Sequence, residues 1–319
     1  MNDVIIVGAG VAGWTASLYL ARRGLKVLVI GKDVGGQANY TDAIENYPGV
    51  EEIGGLELSR QIRKQAEKHG VEFLQGEVGA LKAGPNCFVT SAYGRQYKSA
   101  AVILAYGKTP QDLGIPGEEQ FKGRGVSYCA TCDAPLFKNK VVAVVGIGDI
   151  AADCALLLSK SAKKILVLSK TDKFVAHPQL SKALFKKPNV ELVGFAQVQE
   201  IYGDQTVKGM KLLNTRTETV SSLAVDGIFV ELGYVVNSQM VANIVKLDDR
   251  RQVIVNADQQ TSVLGIFAAG DCTNRNYKQA VISAGEAATA ALACYDWLQQ
   301  AQGAAGITSD WTQIKRIKN

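Results

Sequence analysis

Short apolar runs alternate along the chain with amphipathic segments, and this alternation predicts strands and helices that follow one another as in an α/β protein. Residues 3–7 form the first apolar run. A helical pattern then extends through Ala16 and Leu20 to Arg23, and residues 26–30 form the next run. Strand, helix and strand in this order are typical of a parallel βαβ unit, so the sequence opens with one.

The same pattern returns in the middle of the chain. Residues 141–145 predict a strand, residues 146–151 begin a helix that reaches Leu158, and residues 164–168 predict the next strand. This second unit lies between parts of the first. We therefore predict an α/β fold of two Rossmann-like, three-layer dinucleotide-binding domains, with the second inserted in the first.

Turn-forming residues mark two crossings between these domains. Pro110, Gly114 and Pro116 mark the first crossing, and residues 233–237 mark the return. We expect residues 1–111 and 236–319 to form a discontinuous outer domain, residues 112–235 to form the inserted domain, and residues 303–319 to form a tail. The other predicted elements are a helix over 55–69, strands over 71–73, 78–81, 88–91, 96–99, 101–105, 190–194, 198–202, 209–214, 227–231 and 261–271, and a helix over 278–297.

Composition agrees with two globular domains, because 319 residues that are 47% hydrophobic can bury two cores. No apolar run reaches the roughly 18 residues of a membrane span. An apolar strand also begins within three residues of the N-terminus, so we expect no signal peptide and a cytoplasmic location. The net charge of +5 gives weak support for an acidic partner and none for a dedicated nucleic-acid binder.

The first turn, Gly8-Ala9-Gly10-Val11-Ala12-Gly13, is a dinucleotide fingerprint in its required context. The first glycine permits a tight turn, the second admits a pyrophosphate to the backbone, and the third lets helix and strand pack. Gly31-Lys32 stands where an acidic residue would hold a ribose, which weighs against NAD in this site. Gly35-Gly36-Gln37 adds a second flexible backbone segment.

In the second unit, nucleotide specificity should be set just after Leu168, where the sequence reads Ser169-Lys170-Thr171. No arginine is present there to bind a 2′-phosphate with two hydrogen bonds, and no acidic residue is present to accept from a 2′-hydroxyl. Lys170 is either a point charge for one phosphate or a solvated surface lysine.

Two cysteines, Cys129 and Cys132, are the only pair with a recognisable spacing among the six of the chain. A Cys-x-x-Cys pair is either redox-active or half of a zinc site, and the sequence has no second such pair to complete zinc coordination. The spacing therefore favours a catalytic dithiol in a reducing compartment, with no metal. Asp133 is a candidate proton carrier beside it.

The C-terminal third adds a carboxylate and a helix. The strand predicted over 261–271 ends at Asp271, at the sheet edge where open α/β sheets bind ligands. A helix rich in small residues follows from Lys278, and close packing across a two-fold interface would make a homodimer. The tail predicts a short helix with a basic face, which either touches a membrane surface weakly or docks on the protein itself.

Together these motifs resemble the low-molecular-weight thioredoxin reductase family over almost the whole chain. The resemblance rests on Gly8-Ala9-Gly10-Val11-Ala12-Gly13, Gly35-Gly36-Gln37, Glu45-Asn46-Tyr47-Pro48-Gly49, Cys129-Ala130-Thr131-Cys132-Asp133, Gly270-Asp271 and Lys278-Gln279-Ala280. It implies FAD in the outer domain, Cys132 as the thiol next to the flavin, Cys129 as the thiol that exchanges with a partner, and Asp133 as the proton carrier. The implied partner is a dithiol or disulfide protein such as a thioredoxin, or a small thiol.

The residues that the resemblance assigns to the FAD site are Gly8, Gly10, Val11, Ala12, Gly31, Lys32, Gly36, Gln37, Asn46, Val78, Ala105, Tyr106, Gly107, Asp271, Lys278, Gln279 and Ala280.

The chain also departs from the family. Members that use NADPH carry a His-Arg-Arg run with a further arginine downstream, and Ser169-Lys170 stands there instead. Of the family branches without that arginine set, the chain looks most like the diflavin-linked disulfide oxidoreductases of oxygenic phototrophs, in which a second FAD lies in the region NADPH would use. The residues available for a second flavin are Tyr128, Gly148, Asp149, Ile150, Lys170 and Tyr234. The tyrosines, including Tyr106, either line such a ligand or fill the vacated space.

Three hypotheses follow. The leading one is an FAD-dependent disulfide oxidoreductase that exchanges two electrons between Cys129-Cys132 and flavin, is not driven efficiently by NADPH, and has one or two flavins. The second is a thioredoxin reductase that uses NADPH weakly or takes electrons from ferredoxin. The third, of a different class, is a redox sensor in which flavin and disulfide control assembly without turnover.

Overall fold

The computed structural model describes residues 1–40, 44–84, 87–301 and 303, apart from the side chains of Tyr40 and Cys132. The chain divides into two compact units. The outer unit is Met1–Thr109 with Val236–Asn319, and the inserted unit is Pro110–Val235. The predicted tail helix lies outside the described residues.

The strands and helices are, in chain order, β1 (Asn2–Val7), α1 (Val11–Ala21), β2 (Val27–Gly31), α2 (Gly55–Glu67), β3 (Glu72–Gln75), β4 (Val78–Ala83), β5 (Phe88–Ala92), β6 (Arg95–Leu104), β7 (Thr109–Pro110), α3 (Glu118–Phe121), β8 (Val126–Ser127), α4 (Ala130–Asp133), β9 (Val141–Gly146), α5 (Asp149–Leu158), β10 (Lys164–Leu168), α6 (Pro178–Leu184), β11 (Val190–Val193), β12 (Ala196–Gly203), β13 (Val207–Asn214), β14 (Val220–Ala224), β15 (Gly227–Glu231), β16 (Tyr234–Val235), β17 (Ile266–Ala268) and α7 (Ala280–Ala301). Short 3₁₀ helices span Gly36–Tyr40, Ala134–Phe137, Gln239–Val241 and Gly270–Cys272. Within the described residues, we find no helix with the length and apolarity needed to cross a membrane.

The outer unit is built on one sheet with strand order β3-β2-β1-β6-β5-β4, and β17 also pairs with β6. Strands β3, β2, β1, β6 and β17 run parallel, and β4, β5 and β6 pair antiparallel. Alternate residues of β1 face opposite sides because strand side chains alternate. Val4 and Ile6 pack in one core with residues of α1, α2 and α7, and Ile5 and Val7 pack in a second core with residues of β4 and β5.

The inserted unit has a parallel sheet of order β11-β10-β9-β15-β8. Residues of α5 and α6 pack on one face, and the antiparallel sheet β12-β13-β14 covers the other. The central strands β9 and β10 are almost continuous apolar runs because both of their faces are buried. The βαβ unit predicted over 141–168 is the observed β9, α5 and β10.

One difference from the sequence prediction concerns β6. Two strands were expected, over 96–99 and 101–105, and the structure has one ten-residue strand. Its first half is largely exposed and pairs with β5, whereas its second half is buried and pairs with β17. The switch from polar to apolar composition therefore reflects a change of neighbours along one strand.

A second difference concerns the strand predicted over 261–271, of which only Ile266–Ala268 is a strand. The preceding residues form a turn in which the Thr261 hydroxyl donates to the Ile266 carbonyl at 2.9 Å. Leu264 is 81% exposed at this turn. Asp271 lies in the 3₁₀ helix Gly270–Cys272 and not at the end of the strand. An apolar run alone did not distinguish an exposed turn from a buried strand.

The prediction also missed α6 and β14. His177, interpreted as part of a loop, precedes α6, and Pro178 occupies the first turn of this helix, where its missing N–H costs nothing. Strand β14 is mostly exposed and pairs with β13 on the outer side of the small sheet. Its polar sequence carries little of the alternation that marks a strand.

The outer core gives a stability prediction. Leu20 is fully buried in α1, and Leu264 is 81% exposed in the same unit. We expect Leu20→Ala to lower the free energy of unfolding by about 2–5 kcal/mol, because it removes buried methyl groups and leaves a cavity. The matched control Leu264→Ala should change it by no more than about 0.5 kcal/mol. Urea denaturation measures both, and equal effects would contradict the assigned burial.

Candidate active site

The turn between β1 and α1 brings the helix against two strand ends. A Cβ atom on Gly8 would collide with the carbonyl of Ala105, and one on Gly13 would collide with the carbonyl of Gly8. Only glycine permits this approach. Gly10 is the N-cap of α1, and among the described residues no side chain caps the helix there. The first-turn amides, including those of Val11 and Ala12, are thus left for an external acceptor.

A second glycine segment lies beside this turn. Gly35 forms a parallel bridge with Gly10, and its amide donates to the Ala9 carbonyl at 2.8 Å. The Gly36 amide donates to Asp33 Oδ1 at 2.8 Å and begins the 3₁₀ helix that contains Gln37. The structure thus brings the two predicted glycine segments together. Lys32, in contrast, extends into an exposed ion pair with Glu77 at 2.8 Å.

The start of α7 gathers a third set of predicted residues. Asp271 Oδ2 lies 3.4 Å from Lys108 Nζ, and Oδ1 accepts from the Ser283 hydroxyl at 3.4 Å. Asn46 Nδ2 donates to Gln279 Oε1 at 3.1 Å and so ties the loop around residue 46 to the residue before α7. Ala280 is the first residue of the helix.

Two oppositely charged side chains lie in this region. Lys278 Nζ donates to the Thr273 carbonyl at 2.7 Å, and Glu286 Oε2 accepts from the Gly270 amide at 2.8 Å. Burial lowers the pKa of Lys278, and the carboxylates of Asp271 and Glu286 act against this shift. Burial likewise raises the pKa of Glu286. Each charged group therefore offsets part of the desolvation of the other.

The remaining outer-unit residues are buried or engaged. Ala105 and Val78 are buried, and Val78 packs in the core that contains β4 and β5. The Tyr106 hydroxyl lies 2.7 Å from the Ser238 hydroxyl, which donates to the Arg251 carbonyl at 2.6 Å. Burial raises the pKa of Tyr106. Gly107 follows it with φ +65°.

The cysteine segment lies in the inserted unit. Ser127 Oγ accepts from the Cys129 amide at 3.1 Å, and the Asp133 amide donates to the Cys129 carbonyl at 3.1 Å. This closes the turn that starts α4 directly after β8. Cys129 is disulfide-bonded, and the side chain of Cys132 lies outside the described residues. Asp133 ends α4 and is half-buried.

The other cysteines, Cys87, Cys154, Cys272 and Cys294, are free. Burial raises the pKa of Cys272 to about 12 and raises that of Cys294 as well. A thiol that does not ionise is a poor nucleophile. In the described part of the chain, no group of three or more His, Cys, Asp and Glu could hold a metal.

Glu118 is a functional candidate that the sequence analysis missed. It is 3% exposed, and its carboxylate accepts from the Leu113 and Gly114 amides at 2.7 Å each and from the Tyr128 hydroxyl at 2.6 Å. Lys122 Nζ lies 5.6 Å from the centre of the Tyr128 ring. Burial, then the hydrogen bond to Glu118, raises the pKa of Tyr128. Glu118 thereby fixes the residue before Cys129.

The glycine turn of the inserted unit is partly closed by its own chain. The Gly148 amide donates to the Val175 carbonyl at 2.7 Å, and Asp149 Oδ1 accepts from the His177 amide at 2.7 Å. Exposed apolar side chains surround this turn, namely Ile147 at 64%, Ile150 at 49% and Val175 at 66% exposure. Tyr234, in β16, belongs to the same unit.

Glu231 is a second missed residue. It ends β15 beside Gly146 of β9, at the edge of the sheet where α/β units bind ligands, and it faces Cys154 of α5. Burial raises the pKa of Glu231 to about 7, and a hydrogen bond with Cys154 limits the shift. Burial, then the carboxyl of Glu231, raises the pKa of Cys154. A charged residue at the end of an apolar strand was the available sequence signal.

Glu231 predicts a pH-dependent stability. Its pKa is raised from 4.5 to about 7, so the folded protein retains a proton that the unfolded chain releases in this interval. Ionising the folded carboxyl costs free energy, and the cost grows as pH rises through the interval. Glu231→Gln, which stays neutral, should therefore raise the urea midpoint at about pH 8 and change it little at about pH 4.5.

The matched control is Glu218→Gln, an exposed carboxyl in the same unit. Its difference from the wild type should be the same at both pH values. A pH-independent effect of Glu231→Gln would contradict the role of burial.

Comparisons with known proteins bear on these features. The family described as pyridine nucleotide-disulphide oxidoreductase matches residues 2–287. The chain is 38% identical over 286 residues to the thioredoxin reductase of Listeria monocytogenes, which covers 89% of this chain and 90% of the relative. It is 37% identical over 302 residues to an alkyl hydroperoxide reductase protein of Pseudomonas aeruginosa, which covers 93% of this chain but only 58% of that relative's length.

Among solved structures, the thioredoxin reductase of Lactococcus lactis in its FR conformation matches with a TM-score of 0.80 at 32% identity, covering 94% of this chain and 100% of that chain. This match confirms the predicted α/β fold class. The chain therefore belongs to the pyridine nucleotide-disulphide oxidoreductase family and is a thioredoxin reductase-like, flavin-dependent disulfide oxidoreductase.

Proposed function

We propose that this enzyme exchanges two electrons between a Cys129-Cys132 disulfide or dithiol and FAD, and that NADPH is not its efficient electron donor. The observation that carries the second part is the composition and bonding of the turn after β10, where a 2′-phosphate would be recognised. The first part is supported by family membership and by the segment that carries Cys129.

The turn after β10 bonds to its own backbone. The hydroxyls of Ser169 and Thr171 both donate to the Lys173 carbonyl, at 2.7 and 3.0 Å, and the Thr215 hydroxyl donates to the Lys170 carbonyl at 2.8 Å. Residues 169–177 contain no arginine. Exposed Lys170 and Lys173 are point charges, and neither provides the two-point guanidinium recognition that would favour a phosphate.

FAD fits the outer unit. The uncapped start of α1 supplies backbone donors for a pyrophosphate, and the glycine turn, with the Gly35-Gly36 segment beside it, leaves room for its approach. Asp271 would accept from a hydroxyl of the cofactor, and residues 278–280 would lie at the start of α7. The bound flavin would supply reversible two-electron chemistry, and the protein would supply position and electrostatics.

The exchange itself is thiol–disulfide chemistry. A thiolate of the partner attacks Cys129 Sγ, the bond between Cys129 and Cys132 breaks, and Cys132 leaves as a thiolate that Asp133 can protonate. The second partner thiolate then attacks the mixed disulfide and releases Cys129. The partner is oxidised by two electrons, and the Cys129-Cys132 pair is reduced. The reverse sequence reduces a partner disulfide.

We extend the proposal to a second FAD on the inserted unit. The support is the apolar surroundings of its glycine turn, where exposed Ile147, Ile150 and Val175 offer apolar surface on which the flat ring of a flavin could pack. Tyr128 and Tyr234 would add aromatic surface. The hydrogen bond of Tyr128 to Glu118 equally suits a residue that fills space, so the flavin content decides between these roles.

From the sequence we further propose that the protein is a cytoplasmic homodimer. Its partner would be a thioredoxin-type protein or a small thiol, and its tail would contact a membrane surface weakly. A thioredoxin reductase that accepts ferredoxin or NADPH electrons, and a sensor without turnover, are the competing functions. Multiple turnover with a dithiol protein excludes the sensor.

The choice of electron donor is directly testable. In anaerobic stopped flow, dithiothreitol should bleach the flavin band, and NADPH should do so much more slowly. Two missing charge-assisted hydrogen bonds of about 1.5 kcal/mol each would weaken NADPH binding about a hundredfold. Lys170→Ala should leave the slow NADPH rate unchanged if Lys170 is solvated. Bleaching by NADPH as fast as by the dithiol would refute the proposal.

In the same assay, Cys129→Ser should retain flavin and lose reduction by dithiothreitol, because the attacked sulfur is gone. Cys87→Ser, the same change at a free cysteine of the outer unit, should behave as the wild type.

The second flavin predicts a stoichiometry. Gently purified protein should hold about two flavins per chain, and Ile150→Asp should reduce this to about one, because a carboxylate beside an apolar ring is unfavourable. Ile150 is 49% exposed, so the change should not unfold the unit. Val220→Asp, at a 61% exposed position of β14, is the control. One flavin per wild-type chain would contradict a second site.

A further inference from the structure

The amino-terminal edge of the parallel sheet in the inserted unit is lined with lysines. Pairs of lysines stand at the start of three adjacent strands, β9, β10 and β11, and one more follows α5. We call this surface the lysine edge, and it consists of Lys138, Lys140, Lys160, Lys163, Lys164, Lys186 and Lys187. All seven are exposed.

Backbone and side-chain hydrogen bonds hold these strand starts together. The Lys163 and Lys164 amides both donate to the Lys140 carbonyl, at 2.8 and 3.3 Å. Asn189 connects the third strand, because its Nδ2 donates to the Ser159 and Ala162 carbonyls at 3.1 and 3.0 Å. Adjacent strands lie about 4.8 Å apart, so the three strand starts span about 10 Å. The lysines therefore form one surface.

Little acidic charge balances this surface. Glu191 pairs with Lys164 at 2.7 Å, and Asp226 Oδ2 accepts from the Val141 amide at 2.9 Å. The seven lysines and these two carboxylates carry a net charge of +5, which equals the net charge of the whole chain. The positive and negative charges of all other residues therefore cancel. A concentrated positive field of this kind steers an acidic partner.

The lysine edge continues the segment that carries Cys129. Helix α4 and the 3₁₀ helix Ala134–Phe137 lead directly into Lys138, and the Lys140 amide donates to the Phe137 carbonyl at 3.1 Å. At about 1.5–2.0 Å per residue, this helical path is roughly 15 Å long. A standard interface of about 800 Å² per partner is wide enough to cover both ends of it.

We propose that the lysine edge docks an acidic redox protein that exchanges its thiols or disulfide with Cys129. The exchange step rests on the proposed function and follows the two thiolate attacks given above. The lysines act before it, because they raise the rate at which the partner arrives and orient it toward α4. A protein partner is favoured because a protein is large enough to contact the lysine edge with an acidic face while its thiols reach Cys129.

The test compares two charge-reversed variants. Lys163→Glu with Lys186→Glu alters the lysine edge, and Lys82→Glu with Lys98→Glu reverses two exposed lysines of the outer unit as a matched control. The probe is a reduced thioredoxin of acidic net charge, mixed anaerobically with the oxidised enzyme. At low ionic strength the first variant should react about tenfold more slowly, with a weaker salt dependence, and the control should match the wild type.

Dithiothreitol separates the two levels of the proposal. Both variants should react with it as the wild type does, because it is small and uncharged. Loss of the dithiothreitol reaction in the wild type would refute the proposed function itself. An intact dithiothreitol reaction with an unchanged thioredoxin rate in Lys163→Glu/Lys186→Glu would refute the docking surface alone. The docking surface would also be refuted if this variant kept its rate with thioredoxin but lost binding to vesicles of phosphatidylcholine and phosphatidylserine, or to duplex DNA.

Discussion

The parallel alignment of β8, β9, β10, β11 and β15 is the constraint on which the chemistry of the inserted unit depends. Because all strands point the same way, the sheet has two unlike edges. The carboxyl-terminal edge holds the glycine turn at Gly148 and the carboxyl of Glu231. The amino-terminal edge holds the lysines. Cys129 and helix α4 lie in the connection between β8 and β9, two strands of this sheet. The connection therefore runs from the carboxyl-terminal end of one strand to the amino-terminal end of another.

The outer unit also begins with a parallel strand-helix-strand unit, β1, α1 and β2. There the absence of a Cβ on Gly8 and Gly13 lets α1 lie close to the ends of β1 and β6. The approach leaves the helix start uncapped, and the second glycine segment at Gly36 lies beside it. The inserted unit has a similar turn, and among the described residues no side chain caps its helix α5 either, but the Gly148 amide donates to the Val175 carbonyl and exposed apolar side chains surround the turn. The two turns thus differ in the polarity of their surroundings.

Local sequence predicted the elements whose burial is uniform and missed those whose surroundings change. The strand over 164–168 was predicted with its observed bounds because four of its five residues are buried in a parallel sheet. Strand β6 was divided in two because its neighbours change midway, and the run before β17 was extended because an exposed Leu264 looks the same in sequence as a buried one. The environment of Glu118 and Glu231 was beyond prediction, since their partners lie at distant positions or on other elements.

Those two carboxyls show how the protein treats buried charge. Glu118 is almost fully buried, yet it receives three hydrogen bonds, two from backbone amides and one from Tyr128, which compensate for the lost water. Glu231 faces the weakly donating thiol of Cys154, and burial raises its pKa to about 7. Glu118 therefore suits a structural role that fixes the turn before Cys129. Glu231 lies at the carboxyl-terminal edge of its sheet with less compensation, so its burial makes the charged form unfavourable up to near neutral pH.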